Sequence, residues 1–135
     1  MAATLPKEER LSGRTAIARL TGSGRWSQTP HLRCCCLQEN GLDINRIMVS
    51  VPKRYFKRAV KRNLLKRRMR ESYRLQKELL PPGHDILFVY SAPEVVDSAV
   101  IFEEVGSLIT TAVALTSSFA DSHVSFLTSP VISLM

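Results

Sequence analysis

The side chains best suited to chemistry in this chain are three histidines, three cysteines and twelve acids, and their spacing assembles none of the familiar reaction centres. His31, His84 and His123 are far apart, and none belongs to a Ser/His/Asp or Cys/His arrangement. His84 precedes Asp85 after a Pro-Pro-Gly turn and reads as a pair at the start of a strand, not as an acid–base couple. Cys34, Cys35 and Cys36 are consecutive. In a strand they alternate between faces, which disfavours both pairing and chelation, and there is no CxxC or histidine spacing to complete a zinc site. The acids gather at 8–9, 39–43 and 103–104 without metal-ligand spacing, and Glu103 and Glu104 are expected on the exposed face of a last helix. The pattern argues against a small-molecule enzyme working through its own acid–base pair.

The concentrated chemistry is charge. Between Lys53 and Arg74 stand eleven basic residues and one acid, Glu71, in a chain with 19 Lys and Arg against 12 Asp and Glu. The rest of the chain is therefore slightly acidic, so the segment is aimed at a polyanion. At about 100° per residue, Arg62, Asn63, Lys66, Arg67, Arg70 and Arg74 share one helical stripe. Leu64, Leu65, Met69 and Tyr73 occupy the opposite side, with Lys61 and Arg68 lying along it. Arg62, Lys66, Arg70 and Arg74 form an i,i+4 ladder of like charge, each step mildly destabilising, and Glu71 is placed to offset Arg67. A solvated face normally mixes signs; an uncompensated ladder asks for an external anion.

The stripe runs for roughly 18 Å at 1.5 Å per residue, too long for a single phosphate and suited to a nucleic-acid backbone. Arginine forks hold phosphate, and Asn63 adds a base or ribose contact. Pro81-Pro82 ends the segment before any leucine heptads, which excludes a basic zipper. The strands around it conflict with a homeodomain-like triple helix. Structured RNA, recognised by shape and backbone, is the expected partner.

The elements that must position this stripe can be read in outline. Ser12 is the expected N-cap of a short helix containing Ile17 and Leu20, stopped by the Gly-Ser-Gly of 22–24. A loop through Pro30 leads to a strand at 32–37, a hairpin-like connection at 39–45 and a second strand at 46–51. The basic helix follows Pro52, a buried strand spans 85–90, and a helix covers about 99–115. The expected class is a compact α+β sandwich in the order helix, strand, strand, long basic helix, strand, helix. One domain at 1–116 and an irregular Ser-rich tail at 117–135 are expected. No signal peptide or apolar run of membrane-spanning length is visible, and free cysteines suit a reducing, cytoplasmic setting.

The stretch KRNLLKRRMRESYR (61–74) resembles the RNxxKRxxRE signature of the bacterial ribonuclease P protein family, matching at Arg62, Asn63, Lys66, Arg67, Arg70 and Glu71. VSVPKRYFKRAVKRN (49–63), LPKEERL (5–11) and HDILFVYSAP (84–93) resemble the family's surrounding segments, so the likeness covers about residues 5–116. The resemblance implies a fold like ribosomal protein S5 domain 2, with a left-handed βαβ crossover carrying the motif helix. It implies an RNA subunit that performs the hydrolysis with Mg2+ held mainly by RNA. The protein would bind that RNA and the 5′ leader of precursor tRNA and assist magnesium-dependent leader removal; no obligate protein partner is expected. Lys53, Arg54, Arg58, Arg62, Asn63, Lys66, Arg67, Arg70 and Arg74 would form the RNA surface, with Glu71 in local ion pairing. The leader cleft, commonly aromatic in the family, would here be lined by Ile17, Thr21 and Cys35, with Tyr55, Phe56 and Trp26 as alternative aromatic surface. A ribosome-associated RNA-binding protein of the same fold, without a role in cleavage, is the other reading.

Overall fold

The two longest strands, Leu32–Gln38 (β2) and His84–Tyr90 (β4), are nearly continuous apolar runs, as strands covered on both faces must be. They pair antiparallel with Cys34 opposite Phe88 and Cys36 opposite Ile86. The computed structural model describes residues 6–120, and β4 lies inside its four-stranded sheet, with β2 as one of its two neighbours. Arg46–Ser50 (β3) runs parallel to β4, and the helix Ala59–Gln76 (α2) makes the crossover between them. Arg25–Gln28 (β1) pairs antiparallel with β2 along the other edge. Arg14–Ser23 (α1) covers one sheet face, while α2 and Ser98–Ala120 (α3) cover the other.

Period-two alternation divides the core. Leu32, Cys34, Cys36, Ile47, Val49, Ile86, Phe88 and Tyr90 face α2 and α3, where Leu65, Met69, Tyr73, Ile101, Val105 and Leu108 close the main core. Cys35 and Leu87 face the other way and pack with Leu11 and Leu20. The three cysteines are free and buried on alternate faces, as the strand geometry predicts. Burial pushes the Cys35 thiol up to about 11 and the Cys36 thiol up to about 12, so neither is a nucleophile near neutrality.

Four sequence expectations are corrected. The N-cap of α1 is Gly13, at φ 97°, and not Ser12; no side chain caps the helix. The stretch before Pro30 is strand β1 and not loop: its RWSQ run is short, polar and at a sheet edge, which hides it from a search for apolar alternation. β2 and β3 do not form a hairpin, because β4 inserts between them; the true hairpin is β1–β2. Finally, α3 continues to Ala120, so the tail beginning at 117 starts as helix, and its remainder at 121–135 lies outside the described residues. Gly24 makes the close α1–β1 turn possible. A Cβ there would stand 2.5 Å from the Leu20 carbonyl and 2.6 Å from the Cys35 Sγ.

Glu104 is also corrected: it is buried rather than surface-covering. Its Oε1 accepts from the Thr29 hydroxyl at 2.5 Å and the His31 amide at 3.0 Å, and its Oε2 lies 2.6 Å from the His31 Nδ1. His31 Nε2 lies 3.4 Å from Glu94. The group clamps the β1–β2 turn to α3. The hydrogen bond to Glu104 and the charges of Glu104 and Glu94 raise the His31 pKa above 6.5 against the opposing effect of burial. For Glu104, burial works upward, but the bonds from His31 and Thr29 prevail and lower its pKa below 4.5. A raised histidine pKa stabilises fully below 6.5 and loses that contribution as pH climbs through the folded-state value. The melting-temperature gap between the wild type and His31→Gln is therefore expected to be largest near pH 6 and to shrink towards pH 9. The ionic part is about 1 kcal/mol, since Glu94 is exposed. A gap constant over that range would show that the imidazolium contributes nothing.

Candidate nucleic-acid interface

The turn before α2 is fixed by aromatic packing. Phe56 is buried with its ring 5.8 Å from Tyr90, and Tyr55 meets Phe56 edge-on at 6.5 Å. Arg54 lies over the Tyr55 ring at 4.9 Å. Both rings are thus largely committed to packing, while Lys53, Arg54, Lys57 and Arg58 remain exposed around them.

Within α2, Leu65, Met69 and Tyr73 are buried and Leu64 is half-buried, which matches the apolar side read from the wheel. The stripe itself divides. Arg62 is turned back: its Nη1 donates to the carbonyls of Phe56 at 2.9 Å and Lys57 at 2.8 Å, securing the turn. Arg74 pairs with Glu71 three residues earlier, so Glu71 offsets Arg74 and not Arg67, and the guanidinium holds the Glu71 carboxyl below its usual range. Asn63, Lys66, Arg67 and Arg70 have side chains without a hydrogen bond or ion pair among the described residues. They stand at i, i+3, i+4 and i+7, a continuous row of about 10 Å along the axis.

Arg10, from the segment before α1, reinforces the end of this row. Partial burial and then the Arg10 charge lower the pKa of Arg70, a sign of crowded positive charge. Sequence reading missed Arg10 because only tertiary structure brings it there, through a bridge between Arg10 and Ile47 of β3.

The opposite sheet face holds the other expected residues. Ile17 is half-buried in the α1 packing, and Thr21 is exposed with its hydroxyl bonded to the Ile17 carbonyl at 3.0 Å. Cys35 is corrected: it is fully buried, with its Sγ donating to the Leu20 carbonyl at 3.3 Å, and cannot line an open cleft. Strand register instead puts Trp26 beside Cys35, and the exposed Arg33 guanidinium lies 4.5 Å over the Trp26 ring. Recognising β1 as a strand would have placed Trp26 on this face.

None of these residues fits a metal. Glu71 is the one carboxylate of the stripe and is taken by Arg74, and among the described residues no group of three His, Cys, Asp or Glu side chains is placed to hold a metal ion. A hard dication needs six or more oxygens, so any Mg2+ at this surface has to bring its ligands from elsewhere.

Comparison with known proteins gives this geometry a family. The family described as Ribonuclease P matches residues 5–113. The chain belongs to the ribonuclease P protein family. A ribonuclease P protein component of Syntrophus aciditrophicus is 36% identical over 86 residues, covering 64% of this chain and 71% of that one. One from Porphyromonas gingivalis is 42% identical over 78 residues, 56% of this chain and 57% of its own length. Among solved structures, the ribonuclease P protein of Thermotoga maritima superposes with a TM-score of 0.66 at 27% identity, covering 75% of this chain and 94% of that one. The Staphylococcus aureus protein gives 0.69 at 20% identity, covering 77% and 94%, a likeness of fold. The mixed α+β architecture is that of the family, with the motif helix α2 placed on the sheet by Leu65, Met69 and Tyr73. Among the described residues no helix is long and apolar enough to cross a membrane.

Proposed function

We propose that this ribonuclease P family chain is the protein subunit of a ribonucleoprotein that removes the 5′ leader from precursor tRNA. The catalytic RNA subunit performs the endonucleolytic hydrolysis with its own Mg2+, and the protein binds that RNA and the leader. The observation carrying this reading is the row of unpaired donors on α2, Asn63, Lys66, Arg67 and Arg70, inside a family motif. Lys53, Arg54 and Arg58 extend it at the N-terminal end of the helix, and Arg10 beside Arg70. Charge of one sign on a fixed helix neutralises phosphates, releases counterions and reduces the repulsion between two RNAs. On the α1 face, Ile17, Thr21 and the exposed Arg33–Trp26 pair offer the leader a guanidinium and an aromatic edge in place of Cys35.

The test is 5′-leader cleavage of a precursor tRNA by the cognate ribonuclease P RNA at low magnesium, with and without the protein. The expected result is strong stimulation by the wild type and its loss in an Arg67→Ala, Arg70→Ala double variant. RNA binding without stimulation would overturn the cleavage role in favour of a purely structural RNA-binding protein.

A further inference from the structure

Alongside the donor row, α2 and α3 leave an open groove of about 640 Å³. Its walls are Leu64 and Leu75 from α2 and Ala99 and Phe102 from α3. Phe102 is 41% exposed and Leu75 58%, unusual for large apolar side chains beside a charged stripe. The other charged groups on the rim are already engaged. Arg68 donates from Nη1 to the Val96 carbonyl at 2.7 Å, and Glu71 is paired with Arg74. Among the described residues Arg67 is the rim cation with no partner, and it belongs equally to the donor row. The groove is also held rigidly: Gln76 Nε2 donates to the Phe102 carbonyl at 2.9 Å and the Ser72 carbonyl at 3.1 Å, tying the two helices together.

An apolar floor with one aromatic ring, bordered by a single free guanidinium, matches a ligand with one flat apolar face and one negative charge. An unstacked nucleotide has both. We infer that the α2–α3 groove is a base-binding subsite, taking a nucleotide that turns out of the RNA backbone. Its phosphate stays on Arg67 while its base stacks on Phe102 against Leu75. The wheel places the groove next to Arg67 and away from Asn63 and Arg70, so a strand following the donor row needs to turn out only one residue to reach it. The inference rests on the proposed RNA-binding role and adds to it a contact that reads a base face instead of phosphate.

The test is titration of the cognate ribonuclease P RNA with the full chain carrying Phe102→Leu, Phe102→Trp or Leu75→Gln, each over a series of salt concentrations, with Arg70→Ala as reference. Stacking predicts that Phe102→Leu weakens binding about tenfold while Phe102→Trp restores it. The salt slope stays at the wild-type value in both, because no phosphate contact is lost. Leu75→Gln, at a more exposed position, is expected to weaken binding in the same way without touching the α2–α3 core. If Arg70→Ala weakens binding and neither Phe102→Leu nor Leu75→Gln does, the subsite is overturned and the RNA surface stands. If Arg70→Ala is also silent, the RNA-binding reading itself falls. A change in self-association by sedimentation with unchanged RNA affinity would overturn the subsite in favour of a second copy of the chain.

Discussion

Replacing Arg67 and Arg70 together with alanine is expected to weaken RNA binding at least about 100-fold near 0.1 M salt while leaving the protein as stable as before. The two halves of this result have separate causes. Neither side chain makes a hydrogen bond or ion pair among the described residues, and Arg70 carries the added repulsion of Arg10. Alanine has the best helix propensity, so removing two like charges from α2 costs the fold nothing. On RNA, each guanidinium supplies charge-assisted bonds worth roughly 1.5–3 kcal/mol, and two lost together give a factor of 100 or more. The plot of log affinity against log salt should flatten by about 1.5 units, at 0.7 to 0.9 per phosphate. An unchanged slope would remove this row from the interface. Arg62→Ala is a poor substitute for this experiment, because it also frees the Phe56 and Lys57 carbonyls that shape the turn.

The largest expected loss of stability comes from a residue far from the donor row. Asp85 is 1% exposed and accepts from Arg46 Nε at 2.9 Å, Arg46 Nη2 at 2.8 Å and Asn40 Nδ2 at 2.9 Å. Asn40 also donates to the carbonyls of Ile44 and His84 and accepts from the Leu42 amide at 2.8 Å, so the carboxylate anchors the whole β2–β3 connection. Asp85→Ala leaves a mostly buried guanidinium and an amide without their acceptor, a cost of about 3–5 kcal/mol. For a domain of this size that lowers the melting temperature by roughly 10–18 °C. A drop below about 5 °C would mean that Arg46 recovers its solvation at the sheet edge.

How far the sequence alone reaches differs by element. Strands β2, β3 and β4 and all three helices follow from apolar periodicity and from the Pro and Gly stops, because burial writes those patterns directly. β1 has no such pattern, since an edge strand with exposed side chains gains its stability from backbone pairing to β2. The place of β4 between β2 and β3 is equally invisible, because strand order is decided by contacts between distant segments. The stripe on α2 was legible as a stripe; which of its members stay free was not. Arg62 is withdrawn by a carbonyl pair that only the folded turn presents, and Arg74 by Glu71, three residues earlier on the same helix. Likewise, His84 and Asp85 adjoin in sequence but serve different partners: the His84 ring bonds the Pro81 carbonyl at 2.8 Å, while Asp85 serves Arg46.

The central position of β4 also sets a schedule. The sheet has β2 on one side of this strand and β3 on the other, so neither has its inner neighbour until residues 84–90 are in place. During synthesis the β1–β2 hairpin, β3 and the whole of α2 leave the ribosome before the strand that joins them. Closing the β2–β4 and β3–β4 pairs means closing long loops, which slows folding and leaves strand edges bare in the interval. The helix that carries the charge is therefore made early and acquires its fixed direction late, when β4 docks and completes the sheet beneath Leu65, Met69 and Tyr73.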